Sequence, residues 1–370
     1  MTRSQAAVFG GTARELQLQQ LDVPELQPGE TLVRVLGCTL CGSDLHSYEG
    51  HRQVPVPTVL GHEIVGEILA FGASGAQVDF SGRELRLGDR VTWAIVASCG
   101  ACFYCQRGLP QKCLHSVKYG HEAFRPRREL LGGLAEHCLL VPGTAIFRVP
   151  DELPLEVACP ASCATATVAA ALEAAGEMQG RTVCVLGAGM LGLTACAMLN
   201  AAGAMAIVCV DTIAARREQS LAFGATHTAT PGELPQLARD LSAGHGFDLL
   251  LEFSGATAAL ENAWPLLRIG ARAVLVGAVF PGPPLALLPE QLVRRQLTLA
   301  GVHNYAPRHL GVALSFLAKY QGVFPFAQLV SDWFPLAESA RAFRAAKETG
   351  AVRVGVCPAG ISGFREDVLP

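Results

Sequence analysis

The chain has 370 residues, of which 50% are hydrophobic and 16% are charged, and its formal net charge is −3. This length suggests two domains or one large domain, and the apolar fraction is ample for folded cores, which excludes a disordered protein. The nearly neutral charge argues against nucleic acid as the main partner, because binding to phosphates needs a basic surface.

Thirteen cysteines are the unusual feature of the composition. The first residues, Met1–Gln5, are polar and no apolar leader segment follows them, so we expect a cytoplasmic protein. Disulfides are rare in that reducing compartment, and metal binding is therefore the leading role for at least some of the thiols.

Residues 1 to about 155 are predicted to be rich in β-structure. Short apolar runs at Leu32–Leu36, Val65–Leu69 and Val91–Ile95 are separated by proline and glycine. This spacing is typical of a barrel-like β domain rather than of alternating strands and helices.

Two residues in this part are good zinc ligands. Cys41 and His62 lie 21 residues apart, and a catalytic zinc ion typically has three protein ligands and one open position. The third ligand could be Cys163 or Cys159, which come just before the second half of the chain. Taken singly, His62 could be a core histidine and Cys41 a small buried residue.

Four further cysteines have the spacing C-x2-C-x2-C-x7-C: Cys99, Cys102, Cys105 and Cys113. Four thiolates so close in sequence can surround one zinc ion and leave no position for water, which predicts a structural zinc site. Free core cysteines and an iron–sulfur cluster are the alternatives. A zinc-ribbon module for nucleic acid is disfavoured, because few basic residues flank the cluster.

The pattern changes near Leu155, where predicted strands begin to alternate with helices. The alternation indicates a parallel, doubly wound sheet. Its predicted helix and strands are Thr165–Ala175, Thr182–Leu186, Ala206–Val210, Phe247–Glu252 and Ala273–Gly277. After Gly301 we predict two helices and a last strand, at Arg308–Tyr320, Leu336–Glu348 and Val352–Val356.

Residues 182–210 carry no charge and are longer than the ~20 residues that a transmembrane helix needs. Glycines divide this run, so we predict a strand, a turn, a buried helix and a second strand, and reject a membrane span. These glycines are Gly187, Gly189, Gly192 and Gly203.

The turn in this run has the form G-x-G-x-x-G, from Gly187 to Gly192. In dinucleotide-binding folds such glycines permit the turn, the approach of a pyrophosphate and close helix packing, and a later acidic residue binds the ribose. Asp211 lies 19 residues after Gly192 and would repel a 2′-phosphate, which favours NAD over NADP. A nucleotide-free turn is the alternative, and the nearby Arg216 and Arg217 leave NADP open.

Taken together, the motifs resemble those of the zinc-dependent medium-chain alcohol dehydrogenases over essentially the whole chain. They are C-x-S-D-x-H at Cys41–His46, G-H-E at Gly61–Glu63, the four-cysteine lobe, Cys163–Val168 and the loop Gly187–Gly192. The polar stretch Val302–Arg308 resembles a subgroup of these enzymes associated with phosphonate catabolism. An arginine or histidine there could meet an anionic substrate, and a solvated loop is the alternative.

The resemblance implies roles for individual residues. Cys41, His62 and Cys163 would bind the catalytic zinc, with Cys159 as the alternative third ligand. Asp44 would orient His62, and Glu63 would be a carboxylate able to exchange with zinc-bound water. Ser43 would take the substrate proton, and His46 would pass it to solvent through the cofactor ribose. The expected cofactor contacts are Gly187, Gly189, Leu191, Gly192, Asp211, Arg216, Thr167 and Arg353.

The resemblance also implies an α/β architecture with two domains. Residues 1–158 and 303–370 would form a GroES-like β-barrel catalytic domain, and residues 159–302 a Rossmann-type domain with a parallel sheet. We expect two zinc ions per subunit, NAD as cofactor, a small alcohol or carbonyl compound as substrate, and a homodimer or homotetramer. Nucleic acid and membrane partners are not expected.

Two other functions are weighed against an alcohol dehydrogenase. A zinc-free quinone or enoyl reductase of the same fold would be expected to lack the Cys41 and His62 pair and the cysteine lobe. A catalytically silent NAD- or zinc-binding sensor or structural protein would be expected to have lost Ser43, His46 or Glu63, and all three are present.

Overall fold

The computed structural model describes residues 2–12, 15–74 and 77–358, and the chain divides into two compact units. The first unit runs to Cys163 and includes Ala306–Gln321 and the stretch from Phe326 onward. The second unit consists of Ala164–Tyr305 and Gly322–Pro325. The functional domain bounds predicted from the sequence stay a prediction, and residues 359–370 lie outside the described part.

The strands of the described residues are β1 Arg3–Phe9, β2 Gln17–Asp22, β3 Thr31–Thr39, β4 Thr58–Val59, β5 Glu63–Phe71, β6 Arg90–Trp93, β7 Val96–Ala97, β8 Val117–Lys118, β9 His137–Leu140, β10 Ile146–Arg148, β11 Thr182–Leu186, β12 Ala206–Val210, β13 His227–Ala229, β14 Phe247–Glu252, β15 Leu267–Leu275, β16 Thr298–Gly301, β17 Val330–Pro335 and β18 Arg353–Cys357.

The α-helices are α1 Gly42–Tyr48, α2 Leu155–Ala158, α3 Ala164–Ala175, α4 Met190–Ala201, α5 Ala214–Ala222, α6 Leu234–Leu241, α7 Thr257–Ala263, α8 Pro289–Arg294, α9 Pro307–Tyr320 and α10 Ser339–Glu348. Short 3-10 helices lie at Cys105–Arg107, Pro110–Lys112, Cys159–Ser162, Trp264–Leu266, Phe326–Leu329 and Leu336–Glu338.

The first unit is built mainly from antiparallel strands. Its largest sheet has the order β10-β6-β5-β3-β18-β17, with β9 also paired to β3, and a smaller sheet has the order β2-β1-β4. Alternate residues of the long strands, such as Val33, Val35, Ile64 and Ile68, point into one buried core. The strands β7 and β8 form a separate pair at the base of the four-cysteine lobe.

The second unit contains a parallel sheet in the order β13-β12-β11-β14-β15-β16. Every residue of β11, β12 and β14 is buried, as expected for central strands of a parallel sheet with both faces covered. The predicted bounds of these three strands are confirmed. The strand predicted at Ala273–Gly277 instead runs from Leu267 to Leu275. The prediction missed its first half because those residues are partly exposed and lack an apolar pattern.

The uncharged run 182–210 forms β11, the glycine turn, α4 and β12, so the predicted division is confirmed. Among the described residues, no single helix is long and apolar enough to cross a membrane. Two consecutive helices, Leu155–Ser162 and Ala164–Ala175, meet the length and composition requirement only as a bent pair. The observed sheets are those of a GroES-like unit and a Rossmann-type unit, which confirms the predicted fold class.

Candidate metal centres and cofactor loop

Three potential zinc ligands from separate segments of the first unit come together. Cys41 precedes α1, His62 precedes β5, and Cys163 follows the 3-10 turn Cys159–Ser162. Their ligand atoms all lie within 4.8 Å of one another, and the Sγ atoms of Cys41 and Cys163 are 3.8 Å apart. Two sulfurs and one imidazole nitrogen fit a zinc ion that keeps one position open for substrate.

The structure places Cys163, and not Cys159, in this group. Cys159 is fully buried, and a Cβ added to Gly37 would lie 3.4 Å from its Sγ. The two cysteines do not share one helical face, because a 3-10 turn ends at Ser162 and α3 begins after Cys163.

Asp44 holds two of the three candidate ligands in place. One carboxylate oxygen lies 3.2 Å from Nδ1 of His62 and accepts the N–H of Gly61 at 3.2 Å. The other accepts the N–H of Cys41 at 2.9 Å. Because Nδ1 of His62 donates to this buried carboxylate, Nε2 is the nitrogen available to a metal ion.

The pKa shifts of Cys41, Cys163 and His62 are compatible with a metal-binding site. The hydrogen bond from Cys163 holds the pKa of Cys41 well below its usual value, and the same bond raises the pKa of Cys163, so the two sulfurs share one proton. Burial lowers the pKa of His62, but the charges of Asp44 and Cys41 outweigh it and raise the pKa to about 10. Zinc would replace these protons, since it binds thiolates and neutral imidazole.

Glu63, the residue after His62, is fully buried and paired with Arg353. Nε of Arg353 lies 2.9 and 3.1 Å from the two carboxylate oxygens, Nη2 donates to Oε1 at 2.9 Å, and Thr39 donates its hydroxyl to Oε2 at 2.6 Å. Nη2 of Arg353 also lies 3.7 Å from Sγ of Cys41. Burial raises the pKa of Glu63, and the Arg353 cation opposes that rise.

The predicted proton-transfer residues lie on α1 beside this group. Oγ of Ser43 is 3.4 Å from Nε2 of His62, on the side where the imidazole would meet a metal. His46, three residues further along α1, is half-buried, and its ring centroid is 5.8 Å from that of His51. Their roles in proton transfer stay predictions.

The second group of candidate ligands is the four-cysteine lobe, in which the sulfurs of Cys99, Cys102, Cys105 and Cys113 all lie within 4.8 Å of one another. Cys113 is the most buried of the four, and its Sγ accepts the backbone N–H groups of Cys99 and His115, each at 3.3 Å. Four sulfurs at this spacing can close a tetrahedral zinc shell, which fits a structural rather than a catalytic site.

The glycine loop of the second unit has the shape that a pyrophosphate site needs. Gly187 has φ +95°, which favours glycine, and a Cβ on Gly192 would overlap the carbonyl oxygen of Gly187. Gly189 is the N-cap of α4, and a Cβ there would meet nothing within 4 Å. The first and third glycines are therefore required by packing, while the second leaves open space at a helix N-terminus.

Asp211 follows β12 and is tied to the same loop. One carboxylate oxygen accepts the N–H of Ala188 at 2.8 Å, and the other accepts the N–H of Ile213 at 2.9 Å. Arg217 donates to the backbone carbonyl of Asp211 at 2.8 Å. The carboxylate that was predicted to bind the ribose is thus held at the carboxyl ends of β11 and β12.

The remaining predicted cofactor residues lie in helices and in one strand, and their contacts with a cofactor stay predictions. Thr167 is half-buried in α3, Leu191 is half-buried at the start of α4, and Arg216 is half-buried in α5. Arg353 lies in β18 and carries the ion pair with Glu63.

Sequence reasoning missed several neighbours of the first metal group. Thr39 completes the surroundings of Glu63, and the ring of His121 packs 5.0 Å from that of His62. Neither residue could be identified from the spacing of a motif, because both come close to the metal group only when the unit is folded. Trp93 is 2% exposed and packs edge-on against Tyr119 in the core, so it does not line the site.

Comparisons with known proteins agree with this geometry. The family model of the alcohol dehydrogenase GroES-like domain matches residues 27–151, and that of the zinc-binding dehydrogenases matches residues 191–319. The chain is 30% identical to 5-exo-hydroxycamphor dehydrogenase of Pseudomonas putida over 86% of its own length and 89% of that protein. It is 31% identical to L-threonine 3-dehydrogenase of Pyrococcus horikoshii over 80% of each chain.

Among solved structures, the fold is similar to that of an alcohol dehydrogenase from Thermotoga maritima. The TM-score is 0.90 at 26% identity, covering 96% of this chain and all of the other.

Proposed function

Because the chain belongs to the family of zinc-dependent medium-chain dehydrogenases, we propose that it is an NAD-dependent zinc alcohol dehydrogenase. It transfers a hydride between an alcohol and NAD and interconverts that alcohol with an aldehyde or ketone. The relatives named above are dehydrogenases of a hydroxycamphor and of threonine, and so differ widely in substrate.

One observation carries this proposal. Cys41, His62 and Cys163 form a group with two sulfurs and one nitrogen, and the hydroxyl of Ser43 lies 3.4 Å from the metal-facing nitrogen of His62. A purely structural zinc site would use four protein ligands, as the cysteine lobe does. A site with three ligands and a neighbouring hydroxyl instead suits proton removal from a bound alcohol.

When bound, zinc supplies Lewis acidity toward the substrate oxygen and the nicotinamide supplies the hydride acceptor. Ser43 accepts the hydroxyl proton of the substrate while giving up its own, and His46, further along α1, passes that proton toward solvent. Asp44 keeps His62 in the tautomer with Nε2 free. Arg353 and Thr39 hold the Glu63 carboxylate at the edge of the group.

The preference for NAD rests on Asp211. Its carboxylate lies beside the glycine loop, where a 2′-phosphate would meet a negative charge. Arg217 donates to the backbone carbonyl of Asp211. Gly189 leaves the approach to the N-terminus of α4 open to the pyrophosphate.

The proposal is tested by metal analysis together with NADH formation from a panel of primary, secondary and polyhydroxylated alcohols. We expect two zinc ions per chain and oxidation of at least one alcohol. Cys41→Ala should lower the zinc content by one and abolish oxidation. If Cys41→Ala leaves the zinc content unchanged, the assignment of the catalytic site is wrong.

The alternatives predict different results in the same assay. A zinc-free quinone or enoyl reductase would reduce its substrate after complete zinc removal, and a silent sensor would bind NAD and zinc without turnover. Assembly into a dimer or tetramer stays a prediction, which sedimentation of the zinc-loaded protein would test.

A further inference from the structure

A cationic group lies beside the Cys41, His62 and Cys163 centre and is not used in the chemistry proposed above. It consists of Arg52, just after α1, and Lys118, the last residue of β8, with His121 between them in the fold. All three belong to the first unit. Arg52 and Lys118 are half-buried, and both lie close enough to Cys41 and Cys163 to interact with these sulfurs through their charges.

His121 fixes the direction of the Arg52 side chain. Nη1 of Arg52 lies 2.8 Å from Nε2 of His121, and Nδ1 of His121 lies 2.8 Å from the carbonyl oxygen of Tyr119. Since the guanidinium can only donate, Nε2 of His121 accepts and Nδ1 donates to the carbonyl. The imidazole is therefore neutral and acts as an acceptor for the Arg52 cation.

The same segment is anchored directly to the metal group. The ring of His121 packs against that of His62 with 5.0 Å between centroids, and a Cβ on Gly120 would lie 3.2 Å from Cβ of His62. The backbone N–H of Arg52 donates to the carbonyl of His46 at 3.0 Å. Arg52 is thus held at both its backbone and its side chain next to the residues of the candidate active site.

Lys118 adds a second positive charge near Arg52. Burial and the repulsion of Arg52 lower its pKa to about 8, while the sulfurs of Cys163 and Cys41 act in the opposite direction. Its backbone N–H donates to Oε1 of Glu122 at 2.9 Å. Within the part of the chain that the structure describes, neither Lys118 nor Arg52 forms an ion pair with a carboxylate.

Among the described residues, neither cation has a carboxylate in direct contact, and the nearby Asp44 and the two sulfurs act on Arg52 only from a distance. Two half-buried cations placed in this way are costly to keep together, because each repels the other and has lost part of its hydration. An oxyanion on the substrate would remove both costs. A guanidinium can bind two oxygens of a carboxylate or phosphonate at once, and an ammonium adds a point charge. The neutral His121 holds the guanidinium without cancelling its charge.

We propose that the substrate is an alcohol or carbonyl compound carrying an oxyanion group, a carboxylate or a phosphonate, which binds to Arg52 and Lys118 beside the metal group. This inference rests on the proposed dehydrogenase function and adds the substrate class. The oxyanion binds beside Arg52 and Lys118, and the hydroxyl group on the carbon to be oxidised points toward Ser43.

The test compares hydroxyalkanoates and hydroxyalkylphosphonates of two to four carbons with their uncharged methyl esters in the zinc-loaded enzyme. We expect kcat/KM to be at least 10-fold higher for the acids of one or both classes than for the matching esters. In Arg52→Gln that ratio should fall 10- to 100-fold, Lys118→Met should lower it by a smaller factor, and Arg52→Lys should restore part of it. Arg86→Gln and Lys319→Met, which remove exposed cations elsewhere, should leave the ratio unchanged.

A binding measurement separates this inference from the proposed function. Isothermal titration of the zinc-loaded protein with acetate and with methylphosphonate, neither of which can be oxidised, should give a dissociation constant that rises at least 10-fold in Arg52→Gln. The proposed function fails if no alcohol is oxidised, whatever the titration gives. The oxyanion site is overturned if esters are oxidised as well as acids, or if Arg52→Gln does not change anion binding.

Discussion

Arg353 and Glu63, which are 290 residues apart in the sequence, form a buried ion pair with three N–O distances of 2.9 to 3.1 Å. Both side chains are almost completely excluded from water, at 6% and 0% exposure. The pair joins β18 to β5 immediately next to Cys41 and His62. It therefore links the last described strand of the first unit to the metal group.

Replacing Arg353 with methionine should destabilise the protein strongly. The substitution leaves the Glu63 carboxylate buried without its cation, and breaking a buried pair in this way costs about 3–5 kcal/mol. The free energy of unfolding from urea denaturation of the zinc-loaded protein, followed by circular dichroism, measures this loss.

The matched control is the exposed pair between Arg341 and Glu338, for which Arg341→Met should cost less than about 1 kcal/mol. The double variant Arg353→Met with Glu63→Gln should be more stable than Arg353→Met alone, because no unpaired charge remains. Equal losses for Arg353→Met and Arg341→Met would contradict this account of the pair.

Asp44→Asn should weaken zinc binding at the catalytic group while leaving the cysteine lobe loaded. The carboxamide keeps the shape of the side chain but loses the charge that orients Nδ1 of His62. Loss of such an outer partner typically lowers metal affinity 10- to 100-fold. Competition with a chelator of graded concentration, read as zinc retained per chain, measures the change.

In that titration the wild-type protein should release its two zinc ions at two different chelator concentrations. Asp44→Asn should move only one of these steps. If both steps stay where they are in the wild type, Asp44 does not support the metal group.

Cys113→Ser should remove the zinc ion of the cysteine lobe. Cys113 is the most buried of its four cysteines and receives two backbone N–H groups, so its loss removes a ligand and the contacts that organise residues 99–115. Metal analysis should find one zinc per chain, and limited proteolysis should cut within the lobe. Cys138→Ala, a buried cysteine of β9 outside both groups, should keep two zinc ions.

Asp211→Gly should shift the cofactor preference from NAD toward NADP. The variant removes the negative charge that a 2′-phosphate would meet beside the glycine loop, and the ratio of kcat/KM for NAD to that for NADP should fall at least 10-fold. Glu218→Gln, which removes an exposed carboxylate from α5, should leave the ratio unchanged. An unchanged ratio in Asp211→Gly would show that Asp211 only supports the loop.

The bounds of the strands were predicted most accurately where a buried apolar run is flanked by turn residues. The central strands β11, β12 and β14 are short, fully buried and bounded by turns, so their apolar runs mark their ends. The first half of β15 is partly exposed, and its start could not be read from hydrophobicity. Partly exposed strands generally carry this ambiguity, because exposed strand residues need not be apolar.

The four lobe cysteines were predictable because cysteines rarely recur at such short spacings without a metal, whereas the set of Cys41, His62 and Cys163 was implied by the family resemblance. The family resemblance favoured Cys163 as the third ligand, and the structure groups Cys163 with Cys41 and His62. The residues alone left Cys159 open, since the choice depends on a 3-10 turn where a regular helix was also compatible with the sequence. The contacts of Arg52 with His121 and of Arg353 with Glu63 span 69 and 290 residues. Such contacts follow from strand pairing in the folded unit and leave no local pattern in the sequence.

The loop glycines Gly189 and Gly192 provide a final, paired prediction, in which alanine at one position lowers stability and alanine at the other weakens cofactor binding. Gly192→Ala should destabilise the second unit, because the new Cβ would overlap the carbonyl oxygen of Gly187. Gly189→Ala should leave stability within about 1 kcal/mol of wild type, since its φ of −82° suits alanine and its Cβ would meet no protein atom within 4 Å. That same Cβ would occupy the space before α4, so the dissociation constant for NADH, measured by fluorescence titration, should rise at least 10-fold. A Gly189→Ala protein that binds NADH as tightly as wild type would show that the pyrophosphate does not approach the loop at this residue.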